Sequence, residues 1–178
     1  GGVTEDNSFG TNEFIDWCRM AGIEPMLAVN LGTRDGDAAR NMLEYCNFPG
    51  GTAWSDLRRK HGWEKPHGVK FWCLGNEMDG PWQIGHKTAV EYGRLANETA
   101  KAFKGFDQTI EAIVCGSSND GMPTYPEWER EVLEECYENV DHISLHKYFG
   151  NNSRDTLNYF GKIEETGRYI QTIAGVID

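Results

Sequence analysis

Four short apolar runs, each closing on polar residues and separated by amphipathic stretches of helical length, constrain this chain more than any other feature. Pro25-Met26-Leu27-Ala28-Val29-Asn30-Leu31 runs into Gly-Thr, and Val69-Lys70-Phe71-Trp72-Cys73-Leu74 into Gly75-Asn76-Glu77. Ile110 to Cys115 ends in Gly-Ser-Ser-Asn, and Val140 to His146 ends in Lys-Tyr-Phe-Gly. Runs rich in Val and Ile, starting every 30 to 45 residues with helices between them, are the α/β pattern of parallel strands. Apolar strand bodies with polar C-terminal ends favour a (β/α)8 TIM barrel over an all-β or all-α fold. Eight units need about 250 residues. With 178 residues and four strands, the expectation is about half a barrel, a partial catalytic domain over residues 1–178.

The helical segments carry their own punctuation. The first is expected with Thr11 as N-cap, Phe14, Cys18 and Ala21 on one face, and Gly22 as its stop. Residues 37–46 and 88–103 repeat the apolar spacing, and Thr124 with Glu127 reads as a capping box before Trp128, Val132, Leu133 and Cys136. A last helical pattern carries Leu157, Phe160, Ile163, Ile170 and Ile173, with breaks expected at Gly161 and Gly167.

Charge narrows the partners. Seventeen basic against 28 acidic residues give a net charge of −11, which disfavours nucleic acid and anionic membrane surfaces and suits a neutral substrate. No apolar run reaches the length of a membrane span, and the polar, Gly-rich opening is not that of a signal peptide. The five cysteines, Cys18, Cys46, Cys73, Cys115 and Cys136, form no C-x-x-C pair and read as reduced, buried thiols of a cytoplasmic protein. No cofactor and no metal is expected, since His142 and His146 lie on a strand-like segment without an H-E-x-x-H pattern.

The chemistry concentrates at Gly75-Asn76-Glu77-Met78-Asp79-Gly80-Pro81-Trp82-Gln83, where a buried strand delivers an amide and a carboxylate to the edge at which barrel active sites lie. Among Trp72, Trp82 and a barrel wall, the carboxyl of Glu77 is expected to be desolvated and its pKa raised, as suits a general acid. The plain alternative is a glutamate in an ordinary surface loop. Trp82 reads equally as a stacking face for a sugar or as a core tryptophan. Glu13, Glu24 and Asp79 read as structural or solvated. The Gly116-Ser117-Ser118-Asn119 loop lacks the lysine and spacing of a phosphate cradle.

Six blocks in order resemble glycoside hydrolase family 51, the α-L-arabinofuranosidases: GTNEFIDWC (10–18), AVNLGTR (28–34), EYCN (44–47), WCLGNEMDGPWQIGHK (72–87), VCGSSN (114–119) and ISLHKYFGN (143–151). The resemblance implies a retaining (β/α)8 enzyme, covered here from the third to the sixth strand, that releases terminal α-L-arabinofuranosyl groups from arabinoxylan or arabinan. Glu77 would be its general acid/base at the end of the fourth strand. Asn76 would bind the sugar 2-hydroxyl, Asn30 would make another arabinose contact, and His146 and Tyr148 would match the sixth-strand pair near substrate and nucleophile. Strand parity agrees, placing His142, Ser144, His146 and Tyr148 on one face and Ile143 and Leu145 on the other.

A retaining glycosidase needs two carboxylates about 5 to 5.5 Å apart. The family's nucleophilic glutamate ends the seventh strand, so it is expected to be absent from this chain, along with the family's β-sandwich domain. The polypeptide alone is therefore expected to be inactive, while the parent enzyme that the resemblance implies is expected to act on arabinofuranosyl oligosaccharides and to form a homo-oligomer. Two alternatives are another retaining barrel glycosidase of endoglucanase type and a non-catalytic sugar-binding fragment.

Overall fold

In a computed structural model, described for residues 4–152 and 154–178, the apolar runs become one parallel sheet. Strands β1 (Met26–Val29), β2 (Phe71–Leu74), β3 (Glu111–Cys115) and β4 (His142–Ser144) lie side by side in chain order. The register pairs Met26 with Phe71, Phe71 with Glu111 and Ile113 with His142, so every C-terminal end opens on one edge. Each strand is shorter than its apolar run: β2 and β3 lose residues only at their starts, and β1 and β4 at both ends. Among the described residues no helix is long and apolar enough to cross a membrane.

Helices α1 (Thr11–Ala21), α2 (Gly36–Asn47), α3 (Ala53–Lys60), α4 (Ala89–Phe106), α5 (Glu127–Cys136), α6 (Thr156–Gly161) and α7 (Ile163–Ile177) connect and flank the strands. Alternation decides what they cover. Val29, Trp72, Leu74, Ala112 and Val114 are buried against the helices, whereas Met26 and Ala28 on the opposite face are exposed and Phe71 and Cys73 half-buried. Helix α4 is central: Tyr92 stacks on Trp128 of α5 at 5.6 Å, and Phe103 meets Trp72 edge-on. The Tyr92 hydroxyl does more than pack. It donates to the Leu74 carbonyl at 2.5 Å and accepts the Cys115 amide at 2.8 Å, filling the gap where β2 and β3 part.

Several sequence expectations need correction. Helix α1 begins at Thr11 with Gly10 as N-cap, whose amide is taken by the Glu13 carboxylate at 2.9 Å; Gly22 does end it, at φ 68°. The Thr124–Glu127 capping box does not form, since the chain turns through Tyr125-Pro126 and α5 starts at Glu127 with Pro126 as N-cap. The last helical pattern breaks as expected after Gly161, the last residue of α6, but not at Gly167, which lies within α7. Of its apolar residues only Ile173 is buried; Leu157, Phe160, Ile163 and Ile170 are exposed.

Helix α3 was not anticipated, because its buried residues, Ser55 and Arg58, are polar. Arg58 is fully buried and donates to the carbonyls of Tyr45, Phe48, Pro49, Trp63 and Glu64 at 2.6–3.4 Å. Its guanidinium thereby ties the loops on both sides of α3 into one unit. Nearby, buried His67 bonds through Nε2 to Asn12 Oδ1 at 2.6 Å, and Asn12 donates to Tyr45 Oη. Burial, with Arg19 and Arg58 close by, pushes the His67 imidazole down to about 4.

Two outcomes follow from these contacts. Tyr92→Phe removes the acceptor of the buried Cys115 amide and leaves the Leu74 carbonyl only the weak Cys115 thiol contact, and is expected to lower stability by about 2 kcal/mol in urea unfolding. His67 is neutral in the fold and gains its proton more readily once unfolded, so stability falls as pH drops from about 6.5 to about 4. His67→Gln, which keeps a donor toward Asn12, is expected to flatten that decline when unfolding is followed against pH.

Candidate active site

The end of β2 is built to turn sharply. Gly75 has φ 96°, and a Cβ there would meet Met78 Sδ at 2.8 Å. Two residues on, Glu77 itself sits at φ 48°, a left-handed conformation that costs a non-glycine residue of order 1–3 kcal/mol. Its carbonyl accepts the Gly80 amide at 2.9 Å, closing the turn that aims its side chain across the strand ends.

Both carboxylate oxygens of Glu77 are held. Oε1 accepts from His146 Nδ1 at 2.9 Å and Oε2 from Trp82 Nε1 at 2.7 Å. Sequence separations of 69 and 5 residues thus converge on one group. The Trp82 ring reaches it by lying on Gly80, where a Cβ would stand 2.5 Å from the indole. Trp82 is 55% exposed, so it is neither a core residue nor detached from the site: its edge holds Glu77 and much of its face meets solvent. Trp72 contributes nothing here, because it faces the helices and donates to the Val69 carbonyl.

The electrostatics correct the expectation of a raised pKa. Burial does push the Glu77 carboxyl up, but hydrogen bonds from His146 and Trp82, the positive charge available on His146 and a contact from Gln83 together hold it below the usual carboxylate range. Donors stabilise the charged form more than partial burial destabilises it. In the unliganded structure Glu77 is therefore ionised at neutral pH, ready to accept a proton.

Asn30 and Asn76 line one cleft of about 540 Å³, together with Gly32, Thr33, Trp82, Gln83 and Ile84. The Asn30 side chain is fixed by its own loop: Oδ1 accepts the amides of Gly32 and Thr33, and Nδ2 donates to Thr33 Oγ1 at 2.8 Å. Gly32 and Gly85 let the two loops touch backbone to backbone; a Cβ on Gly85 would stand 2.2 Å from the Gly32 carbonyl oxygen. Asn76 is exposed on the cleft wall.

Regular β4 ends at Ser144, so strand alternation stops before Tyr148. His146 still reaches Glu77, but Tyr148 is 80% exposed. His142, at the other end of β4, pairs with Glu111 at 2.5 Å and takes no part in the site. Two contributors were missed: Gln83, hidden inside a recognised block, and the Tyr92 hydroxyl, whose helix position signalled only packing.

A family model described as the alpha-L-arabinofuranosidase 1 domain matches residues 2–165. The chain belongs to this family. An intracellular exo-alpha-(1->5)-L-arabinofuranosidase 1 of Bacillus subtilis (strain 168) is 58% identical over 176 residues, covering 99% of this chain and 35% of that protein. An exo-alpha-(1->6)-L-arabinofuranosidase of Bifidobacterium longum is 44% identical over 181 residues, with 98% and 35% covered. The solved arabinose complex of the Thermotoga maritima α-L-arabinofuranosidase superposes with a TM-score of 0.88 at 43% identity, covering 98% of this chain and 34% of that one. A family 51 enzyme from Bifidobacterium longum gives 0.89 at 41% identity, over 97% and 35%. The chain thus spans about a third of the length of these arabinofuranosidases, and its sheet is a portion of their (β/α)8 barrel.

The state of Glu77 in this chain is directly measurable. Its carboxyl, followed by carbon NMR, is expected to titrate below the ordinary value of 4.5, and both His146→Ala and Trp82→Phe are expected to raise it. The associated stability is present above pH 4.5 and is lost as pH falls through the lowered folded value.

Proposed function

We propose that this chain supplies the acid/base part of the catalytic barrel of a retaining, exo-acting α-L-arabinofuranosidase, with Glu77 as the proton-transfer group. The observation that carries the reading is the Glu77 carboxylate at the C-terminal edge of the sheet, gripped by His146 and Trp82 beside a cleft lined by Asn30 and Asn76. Terminal α-L-arabinofuranosyl groups of arabinoxylan or arabinan oligosaccharides are the substrate class, in keeping with the names of the relatives. The cleft holds the sugar, with Asn76 on its 2-hydroxyl and Asn30 on the ring, and His146 and Tyr148 border the side where the nucleophile acts. A cytoplasmic location is part of this reading, supported by relatives named intracellular and by five cysteines that are free thiols.

Double displacement asks two opposite things of one carboxyl. It must give a proton to the departing oxygen in the first step and take one from water in the second. The lowered pKa suits the second step as the site stands. For the first, a sugar that displaces water from the cleft and a second carboxylate about 5 Å away both favour the protonated form, so loading the site turns Glu77 into an acid. Formation of the glycosyl ester neutralises that second charge and returns Glu77 to a base.

Glu77→Gln in the enzyme carrying this chain is expected to reduce cleavage of natural arabino-oligosaccharides by about 10²–10⁴-fold. A dinitrophenyl α-L-arabinofuranoside should still give a fast burst of phenol, followed by slow turnover with a low apparent KM. Azide, which needs no base, should restore turnover and yield the α-arabinosyl azide. Equal loss on both substrates with no azide effect would remove Glu77 from this role. Faster turnover of an aryl β-glucoside than of an aryl α-L-arabinofuranoside by the unaltered enzyme would favour the endoglucanase-type alternative.

A further inference from the structure

Asp79 follows Glu77 by two residues but belongs to a different network. It is buried, and the sugar cleft is walled by Asn76, Met78, Trp82 and Gln83 without it. Its carboxyl oxygens accept the Ser118 amide at 3.0 and 3.1 Å, and Oδ1 also accepts the Ser118 hydroxyl in a very short contact. Ser118 lies in the loop after β3, and that loop is itself anchored. Ser117 donates its amide and hydroxyl to the fully buried Glu129 of α5 at 2.8 and 3.0 Å, and its carbonyl accepts the Tyr169 hydroxyl of α7 at 2.9 Å.

The Glu77 turn therefore has two supports. On the cleft side, Gly80 donates to the Glu77 carbonyl and Lys87 to the Met78 carbonyl. On the opposite side, Asp79 bolts the turn to a loop secured by two helices. A residue held at φ 48° relaxes unless its neighbours over-determine its backbone, and Asp79 is the neighbour that ties it to the rigid part of the fold. We infer that Asp79 is a positioning residue for the reaction: through Ser118 it holds the strained backbone that aims the Glu77 carboxyl, without itself touching the sugar. The inference rests on the proposed acid/base role of Glu77.

A displacement of about 1 Å costs a reacting group about 10²-fold. In the enzyme carrying this chain, Asp79→Ala is expected to lower kcat about that much on aryl α-L-arabinofuranosides with poor leaving groups, with KM little changed. The dinitrophenyl substrate, which needs no acid for its burst, should keep its burst rate, and azide should accelerate the slow second step. Ser118→Ala should act in the same direction, and Asp79→Asn, which retains one acceptor oxygen, should recover part of the loss. Adding Asp79→Ala to Glu77→Gln should cost little more on the poor substrate than Glu77→Gln alone. Losses independent of leaving group, or full additivity with Glu77→Gln, would overturn the inference and leave Asp79 a purely structural residue. If Asp79→Ala does not fold, Ser118→Ala and Asp79→Asn carry the same comparison. A Glu77→Gln enzyme without leaving-group selectivity would instead refute the acid/base reading, an outcome separate from any behaviour of Asp79.

Discussion

Where β2 and β3 separate, a single phenol completes the sheet. Parallel strands must diverge at their C-terminal ends to release loops, and each divergence exposes backbone groups that are costly to bury unpaired. Tyr92 resolves this by donating to Leu74 and accepting from Cys115, while its ring stacks on Trp128, whose own Nε1 bonds the Cys115 carbonyl at 3.0 Å. Burial pushes the Tyr92 phenol well above its ordinary pKa, so it remains a donor. The residue after Leu74 is the glycine that begins the Glu77 turn, and the residues after Cys115 form the loop to which Asp79 is tied. The site thus starts from a hydrogen-bonded plug supplied by a helix.

The two ends of the strands are built for different purposes. Toward the strand starts, Arg58 feeds five carbonyls and His67 stays neutral in a buried network, an arrangement that fixes loops and carries no strained residue among those that make it. Toward the strand ends, Glu77 holds a left-handed backbone, and paired glycines let loops meet without side chains between them. Polar satisfaction stabilises one end. At the other, strain is tolerated because surrounding contacts leave the chain no alternative.

The charge state of Glu77 shows how little a local sequence says about a pKa. Flanking tryptophans suggested desolvation, yet one points to the helices and the other presents its N–H rather than its face. An edge-on indole is a donor, and with His146 on the other oxygen it stabilises the anion. The same two residue types near a carboxyl would have raised its pKa had they met it through their apolar surfaces.

Much of the architecture was legible because it depends on periodicity. The apolar runs located all four strands, Gly22 marked a helix end, and the step from strand to Gly-Asn-Glu placed Glu77 at the edge where loops gather. Parity grouped His146 with His142, Ser144 and Tyr148 on one face, but regular β4 ends at Ser144, and it is the loop beyond it that brings His146 Nδ1 to 2.9 Å from Glu77 Oε1. The expected cap at Thr124 failed because the turn through Pro126 delays the helix, and α3 escaped notice because its buried residues are a serine and an arginine, the latter satisfied by carbonyls that no side-chain pattern reveals. Tyr148 lies beyond the end of the regular strand, where parity no longer governs direction. By itself, then, the sequence determined where the four strands lie, how the helices are spaced between them and that Glu77 stands just past a strand's C-terminal end, since these follow from alternation and local backbone chemistry. Only the tertiary structure decided which donors meet Glu77, which way its pKa moves and that Asp79 is bolted to Ser118, because those contacts join residues that lie on different strands and loops.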